Sequence, residues 1–374
     1  MSILIFVIAL SVLVLIHELG HFLVARLFKV KADEFGIGFP PRIFGFVRDE
    51  KGKWKHVSGA DDKAYKNTIW SFNWLPLGGF VRIKGEQDYG TTDADSLNAK
   101  PIWQRLLIVA AGVIMNWVLA VLLFTAVYAM GTNVALEDVP PGVVSSQAVI
   151  QVMEVVPGSP AERSGMHIGD RIVDANGVAP KDAAAFREQI RLQGEQPMKL
   201  TLADETSKRE VSVTPAMIGD INRLGLGIAL ADVAHVSFPL PKAFWLGITT
   251  TANLTVLITK AFGGIITDLV VQQKVAQDVS GPIGIVVMSG QVVKQGIAPF
   301  LQFLGMLSVN LAVINFLPIP ALDGGRALFL IIEKIRRKPM NRKLENKIHG
   351  IAFLLLIGLI LLVSIHDIAR LFQK

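Results

Sequence analysis

Near its N-terminus the chain carries two histidines and a glutamate in an H-E-x-x-H pattern, formed by His17, Glu18 and His21. On a helix, residues four apart lie on one face, so the two imidazoles can bind the same metal ion. Zinc lowers the pKa of a water ligand to about 7, and a neighbouring glutamate can accept the proton. The pattern therefore predicts a hydrolytic zinc site with Glu18 as general base. The alternative is a buried histidine–glutamate pair that only stabilises a helix bundle.

A catalytic zinc usually has three protein ligands and one open position, so a further acid or histidine is expected. The sequence has no cysteine, which excludes disulfides, thiolate ligands and a thiol nucleophile. Asp323 is the best candidate, because it follows Pro318 and Pro320 within an apolar stretch. Irregular backbone persists at membrane depth only where protein or a water-filled cavity satisfies it. We therefore expect Asp323 to complete the site; a capping aspartate in an interfacial turn is the alternative.

The elements that hold these residues are strongly apolar. The 374-residue chain is 51% hydrophobic and 18% charged, with a mean hydropathy of +0.47. A soluble domain has about 25% charged residues, so this composition indicates a membrane protein. Crossing a hydrocarbon layer of about 30 Å takes roughly 20 helical residues. Four apolar blocks are long enough, at about 3–28, 103–130, 300–332 and 348–372. We expect the first to be retained rather than removed as a signal peptide, because it holds the candidate site.

The stretch 238–272 is apolar only in places and is interrupted by Lys260 and Asp268. We predict an amphipathic helix on the membrane surface there; a fifth span is the alternative. The segment 333–347 has seven basic and two acidic residues. By the positive-inside rule it is cytoplasmic, which places both termini and residues 132–230 on the outer side. The net charge of +6 thus reflects membrane orientation, and we do not expect nucleic-acid binding.

Two stretches between the apolar blocks are predicted to contain β-structure. Residues 132–230 combine short β-branched runs with a helical stretch at 182–192 and glycine turns, a pattern that suits a small α+β domain. Residues 77–85 alternate apolar and basic side chains between glycines, which is typical of a strand.

Taken together, the two motifs resemble those of the site-2 protease family of intramembrane metalloproteases. The H-E-x-x-H pattern in the first block is paired with N-x-x-P-x-P-x-L-D-G, which runs from Asn315 through Asp323. The likeness is greatest to the bacterial regulator of sigma-E protease group. It implies that His17, His21 and Asp323 hold zinc, that Glu18 is the acid/base, and that Asn315 helps to handle substrate.

The resemblance extends along nearly the whole chain. Gly112 and Asn116 in the second block match a G-x-x-x-N signature of the family, which is a weak motif on its own. Residues 158–177 resemble a bacterial PDZ domain, and residues 76–85 resemble the family's membrane-associated β-hairpin beside the active site. Some members of the family carry two PDZ domains in tandem, whereas this sequence has one.

The predicted fold is therefore an α-helical membrane protein with about four transmembrane helices, a membrane-associated β-hairpin and one extracytoplasmic PDZ-like α+β domain. Its predicted divisions are 1–131 with the H-E-x-x-H helix, hairpin loop and second span, 132–230 as the PDZ-like domain, 231–299 as surface helix and linker, and 300–374 with the last two spans.

The expected activity is zinc-dependent proteolysis inside a membrane, on transmembrane segments of other proteins. We expect Phe80, Val81, Arg82 and Ile83 to pair with an unwound substrate by strand addition, together with Asn315. The PDZ-like domain either receives the C-terminus of a substrate trimmed by another protease or excludes substrates with bulky outer domains. The resemblance implies a bacterial inner membrane and substrates such as an anti-sigma factor or remnant signal peptides.

Two other classes of protein remain as alternatives. A membrane metal transporter also places histidine and aspartate at membrane depth, although we find no repeated halves in the sequence. An inactive scaffold that works through its PDZ-like domain is the other, although all the expected site residues are present.

Overall fold

The computed structural model describes residues 2–59, 61, 63, 65–86, 93–136, 148–203, 207–218, 223–267, 281–294, 296–338 and 340–372. Contacts divide the chain into two compact units. The first comprises Met1–Phe124, Gly247–Lys294 and Phe300–Lys374, and the second comprises Thr125–Leu246 and Gln295–Pro299.

The described residues form the following helices and strands. The helices are α1 (Ser2–Leu27), α2 (Ile102–Met130), α3 (Pro160–Arg163), α4 (Ala183–Gln193), α5 (Leu240–Thr267), α6 (Pro282–Lys294), α7 (Ile297–Phe316), α8 (Asp323–Arg336) and α9 (Arg342–Phe372). The strands are β1 (Ala32–Arg48), β2 (Trp54–Ser58), β3 (Ile69–Ile83), β4 (Thr132–Ala135), β5 (Val149–Val155), β6 (Arg171–Ala175), β7 (Met198–Ala203), β8 (Lys208–Val213), β9 (Ala216–Ile218), β10 (Arg223–Gly225) and β11 (Ile228–Val236).

Among the described residues, four helical segments are long and apolar enough to cross a membrane. They are Ile3–Leu27, Ile102–Met130, Ile297–Phe316 and Leu344–Ile365. This result confirms four apolar membrane helices.

The third apolar block was predicted at about 300–332 and broken by Pro318 and Pro320. The break is confirmed, and the segment able to span a membrane, Ile297–Phe316, is shorter than the predicted block. The helix α7 ends at Phe316, and Asp323 begins a separate helix, α8. Pro318 and Pro320 have no backbone N–H to continue the helical hydrogen bonds, and Ala321 takes a left-handed φ of 82°. The start of α8 lies close to the carbonyl groups of Phe316 and Leu317 at the end of α7. A side chain at Gly324 would overlap these carbonyl groups.

The stretch predicted as an amphipathic helix forms α5, Leu240–Thr267, which is not one of the four segments able to span. The helix was predicted correctly up to Thr267; residues 268–272 lie outside the described residues. Its position at the membrane surface stays a prediction.

Helix α6 was not identified from the sequence, which assigned 231–299 to a surface helix and linker. It packs against α1 and α9. Asp367 of α9 accepts hydrogen bonds from the backbone N–H groups of Gly281 and Gly284, at 3.2 and 2.9 Å. A carboxylate from a distant helix therefore satisfies free donors at the start of α6.

In the first unit, β1, β2 and β3 form an antiparallel sheet in the order β2-β1-β3, so β3 lies at an edge. Phe35 of β1 lies opposite Val81 of β3. The predicted hairpin is thus the edge of a larger sheet. Its pairing partner β1 escaped sequence analysis because its 17 residues include glycines and two prolines, which mask a strand pattern.

Helix α1 and this sheet share two buried clusters. Phe22 of α1 packs with Ala32 and Phe35 of β1. Ala25 of α1 packs with Ile83 of β3, and the same cluster includes Ile108 of α2. The sheet edge is therefore held against the helix that carries the H-E-x-x-H residues.

The second unit contains an antiparallel six-stranded sheet in the order β4-β11-β5-β6-β7-β8. Its core includes Val152, Phe186, Leu200 and Leu202, all fully buried. Asp182 caps the N-terminus of α4 by accepting from the N–H of Ala185 at 2.7 Å. The α+β organisation predicted for this part of the chain is confirmed.

Candidate active site

Helix α1 brings His17 and His21 to one face, where both side chains are buried at 7% and 8% exposure. Their Nε2 atoms lie 3.2 Å apart. The Oδ2 atom of Asp323 lies 3.0 Å from Nε2 of His17 and 3.3 Å from Nε2 of His21. The structure therefore brings the three predicted ligand atoms into a nearly equilateral triangle.

This triangle fits a tetrahedral zinc ion. Zinc bonds of about 2.0–2.1 Å to nitrogen and oxygen place neighbouring ligand atoms about 3.3 Å apart in a tetrahedron. The observed separations are 3.0–3.3 Å. Asp323 Oδ2 is also buried without a hydrogen bond of acceptable geometry, so the metal-free site leaves a carboxylate oxygen unsatisfied. Two imidazoles and a carboxylate are a donor set typical of catalytic zinc.

Helix α2 packs against this cluster and contacts both histidine rings. The Nδ1 atom of His21 lies 2.8 Å from the carbonyl oxygen of Ile108, and Nδ1 of His17 lies 3.2 Å from the side-chain amide of Asn116. A side chain at Gly112 would overlap both imidazoles at their Nε2 atoms. A glycine at this position of α2 is therefore required for the cluster to form.

The carboxylate of Glu18 connects the cluster to the sheet edge. Its Oε2 atom accepts a hydrogen bond of 3.1 Å from the backbone N–H of Val81 in β3. The N–H of Lys84 instead donates to Lys31 O, at 2.9 Å. Since N–H groups alternate in direction along a strand, we expect the N–H of Ile83 to point to the same free edge of β3 as that of Val81.

The other predicted substrate-binding residues have different surroundings. Phe80 is half-buried, Arg82 is exposed with its Nη1 3.8 Å from Glu34, and Ile83 is buried in the core. Asn315 lies in the last turn of α7, and no side-chain hydrogen bond of Asn315 occurs within the described residues. Of these residues, the structure brings Val81 to the candidate site, through its backbone.

A buried ion pair fixes the sheet outside the membrane-spanning helices. Glu34 is 2% exposed and accepts from Arg42 Nε at 2.8 Å and Nη2 at 2.7 Å. These two hydrogen bonds hold β1 in place.

Sequence reasoning missed two residues that hold the site segments in place. Ser11 of α1 donates to the carbonyl of Pro76 at 3.2 Å and accepts from the N–H of Gly78 at 3.0 Å. His349 of α9 accepts from the backbone N–H of Ala321 at 2.7 Å, next to the start of α8. No spacing rule links residues so far apart in the chain, so neither contact had a signal in the sequence.

Comparison with known proteins agrees with this arrangement of residues. The model of peptidase family M50 matches residues 5–57 and 61–359. The regulator of sigma-W protease RasP of Bacillus subtilis is 29% identical, with 98% of each chain covered. A provisionally named zinc metalloprotease of Clostridium perfringens is 34% identical over 96% of each chain.

A solved structure is similar to part of the chain. The PDZ domain of an SdrC-like protein from Listeria monocytogenes is 25% identical, with a TM-score of 0.21, and covers 23% of this chain and 90% of that one. The family match spans nearly the whole chain. The chain therefore belongs to peptidase family M50 and is an intramembrane zinc metalloprotease.

Proposed function

We propose that this protease hydrolyses peptide bonds within transmembrane segments, with His17, His21 and Asp323 as zinc ligands and Glu18 as general base. The carrying observation is the convergence of the three ligand atoms at 3.0–3.3 Å beside Glu18. When bound there, zinc supplies Lewis acidity and makes water a stronger acid at neutral pH. Glu18 accepts the proton of the attacking water and returns it to the leaving amine.

The edge of β3 is proposed to bind the substrate. A transmembrane helix encloses its peptide bonds in internal hydrogen bonds, so it must unwind before water can attack. An extended segment can then add to β3 as a further strand. The hydrogen bond between Val81 and Glu18 supports this role, because it places the general base at that edge. Asn315 is proposed to hold the same extended segment.

The sheet of the first unit is proposed to lie in the bilayer. Four large apolar side chains near its Ser11–Pro76 contact are exposed: Phe39, Phe72, Trp74 and Leu75. Lipid contact would explain this exposure, since soluble surfaces rarely expose such patches. A sheet edge surrounded by lipid also has few competitors for its backbone groups other than a substrate strand.

We propose that the membrane is a bacterial inner membrane and that both termini face outward, with the basic segment 333–347 inside. The proposed divisions remain 1–131, 132–230, 231–299 and 300–374. Residues 132–230 act as an extracytoplasmic PDZ-like domain on substrates already trimmed by another protease. The name of the Bacillus subtilis relative supports a substrate that controls a sigma factor.

Metal removal tests the proposal. Purified protein treated with a chelator should lose cleavage of a model transmembrane substrate in detergent, and added zinc should restore it. A metal-free, folded protein that cleaves at the original rate would contradict the assignment. A zinc-loaded protein that moves zinc across vesicles but cleaves no membrane substrate would favour a transporter.

A further inference from the structure

One face of α2 contacts both histidines that are assigned as zinc ligands. Ile108, Gly112 and Asn116 are spaced four residues apart, so they lie in one row along this helix. The Ile108 carbonyl faces Nδ1 of His21 at 2.8 Å, and the Asn116 amide faces Nδ1 of His17 at 3.2 Å. Gly112 lies between them, against the two Nε2 atoms. Ile108 and Asn116 therefore hold the two rings by Nδ1, the nitrogen that does not face Asp323.

We propose that Asn116 is a positioning residue, whose side-chain oxygen accepts the Nδ1–H of His17 and so fixes the tautomer that binds zinc. The proposal rests on the assignment of His17 as a zinc ligand. It gives a physical role to the G-x-x-x-N pattern, in which the glycine makes room for the rings and the asparagine orients one of them.

The role of Asn116 depends on which nitrogen of His17 carries the proton. A neutral imidazole has one N–H and one lone pair, and a ligand nitrogen must supply the lone pair. Nε2 of His17 faces both Asp323 Oδ2 and His21 Nε2, so it is the ligand nitrogen. The proton must then lie on Nδ1, which needs an acceptor because the ring is buried.

Asn116 can provide that acceptor through a half-turn of its amide. As placed, Nδ2 faces His17 and Oδ1 is buried without a partner. The oxygen and nitrogen of an amide occupy nearly the same positions, and the hydrogen-bond network decides between them. Turning the amide breaks no hydrogen bond of Oδ1, because Oδ1 has no partner. In either orientation one of the two amide atoms faces His17 and the other is unpaired. The tautomer of His17 therefore decides, and zinc requires Oδ1 towards the ring.

The backbone of Asn116 is held in place by α7. The residue is 0% exposed, and Ser308 Oγ donates to its backbone carbonyl at 2.8 Å. The backbone at Asn116 is therefore fixed while the amide is free to match either tautomer.

The test measures zinc affinity, by competition with a chromophoric chelator, in the purified full-length protein in detergent. Asn116→Leu keeps the size of the side chain and removes the acceptor oxygen. Asn116→Ala removes the same oxygen and also shortens the side chain. Asn116→Asp keeps an acceptor oxygen and removes the amide N–H donors. Loss of an outer hydrogen bond to a ligand typically weakens metal affinity by about 10–100-fold. We expect that loss for Leu and Ala and recovery for Asp. The absorption spectrum of cobalt-loaded protein should change in Leu and Ala and resemble wild type in Asp.

Asn310→Leu is the matched control, because it removes a partly buried amide from α7 whose only described bond is to the carbonyl of Met306. It should leave zinc affinity unchanged. A folded Leu or Ala variant with wild-type affinity would overturn the proposal, and so would an Asp variant as weak as Leu. The variant His17→Ala tests the assignment of His17 as a zinc ligand separately from the role of Asn116. Unchanged zinc affinity in His17→Ala would overturn the ligand assignment itself.

Discussion

At the residue scale, the candidate site depends on one glycine as much as on its ligands. A methyl group at Gly112 would overlap the Nε2 atoms of His17 and His21. Ligand distances in a metal site tolerate changes of only about 0.2 Å. We therefore expect Gly112→Ala to lower zinc affinity by roughly tenfold or more, which is the scale of defects in ligand orientation. Zinc content after dialysis against a weak chelator measures this.

The control for this prediction is Gly358→Ala, also in a candidate span but with open space around the added methyl group. It should retain zinc as wild type does. Equal zinc affinity in folded Gly112→Ala and Gly358→Ala proteins would show that the ligand cluster does not lie against α2 as described.

Local spacing explains which residues of the site could be predicted. His17, Glu18 and His21 follow from the helical repeat, and Asp323 follows from prolines in an apolar stretch. Asn116 matches a weak pattern, but no local pattern places it against His17. His349 contacts Ala321 across 28 positions of sequence. Such contacts arise from how the helices pack, which no local pattern encodes.

At the element scale, the free edge of β3 carries the proposed substrate site. Ile83→Pro removes an N–H that we expect to point to this edge, while the hydrogen bond between Val81 and Glu18 stays in place. We expect zinc binding to be retained and cleavage of a transmembrane substrate to fall, because proline cannot donate to an added strand. Initial cleavage rates at matched zinc content measure the effect.

Ile83 is buried in the core, so the proline variant also removes packing. Ile83→Ala is therefore the comparison, since it shortens the side chain but keeps the N–H. Cleavage by the proline variant should be clearly slower than by the alanine variant. Equal cleavage rates in the proline and alanine variants would contradict binding of the substrate by strand addition.

The end of α7 and the whole of α6 could not be predicted from local sequence patterns. In the apolar block 300–332 the prolines predict the break between α7 and α8, but hydropathy continues past them, so the end of the span at Phe316 could not be predicted. Helix α6 was missed because its 13 residues are too few for a span. It is held by packing on α1 and by Asp367 of α9, neither of which is visible in its own sequence.

At the scale of the whole molecule, the four apolar helices and the family followed from composition and motifs. The resemblance to intramembrane metalloproteases is confirmed by the family match over residues 5–57 and 61–359. Membrane orientation rests on charge asymmetry alone and stays a prediction. The pairing partner of β3 and the six-stranded sheet order required the structure, since non-local strand pairing is not set by local pattern.

The role of the PDZ-like domain is a prediction at the same scale. Arg187 of α4 donates to the carbonyl of Leu230 in β11 at 3.1 Å, and β4 pairs with β11 only from Val233 onward. Among the described residues, the part of β11 before Val233 pairs with β5 but not with β4, so one of its edges is where a peptide strand would add. Arg187 already binds a carbonyl group of that part, which favours a size filter over a receptor. Cleavage should fall as the outer part of a substrate is enlarged, and amidation of a trimmed substrate's C-terminus should have no effect.

Substrates that share one transmembrane segment and differ only in the outer part test this prediction. If amidation abolishes cleavage and size has no influence, the domain is a receptor for the C-terminus and the filter is wrong.

The central claim is that Glu18 acts as general base at a zinc held by His17, His21 and Asp323. The most direct measurement compares wild type and Glu18→Gln for zinc content and for cleavage of a transmembrane substrate in detergent. We predict equal zinc in both and a fall in rate of about 10²–10⁴-fold in the variant, the usual contribution of a general base. Full cleavage by Glu18→Gln, or a folded wild-type protein that binds no zinc, would contradict the account.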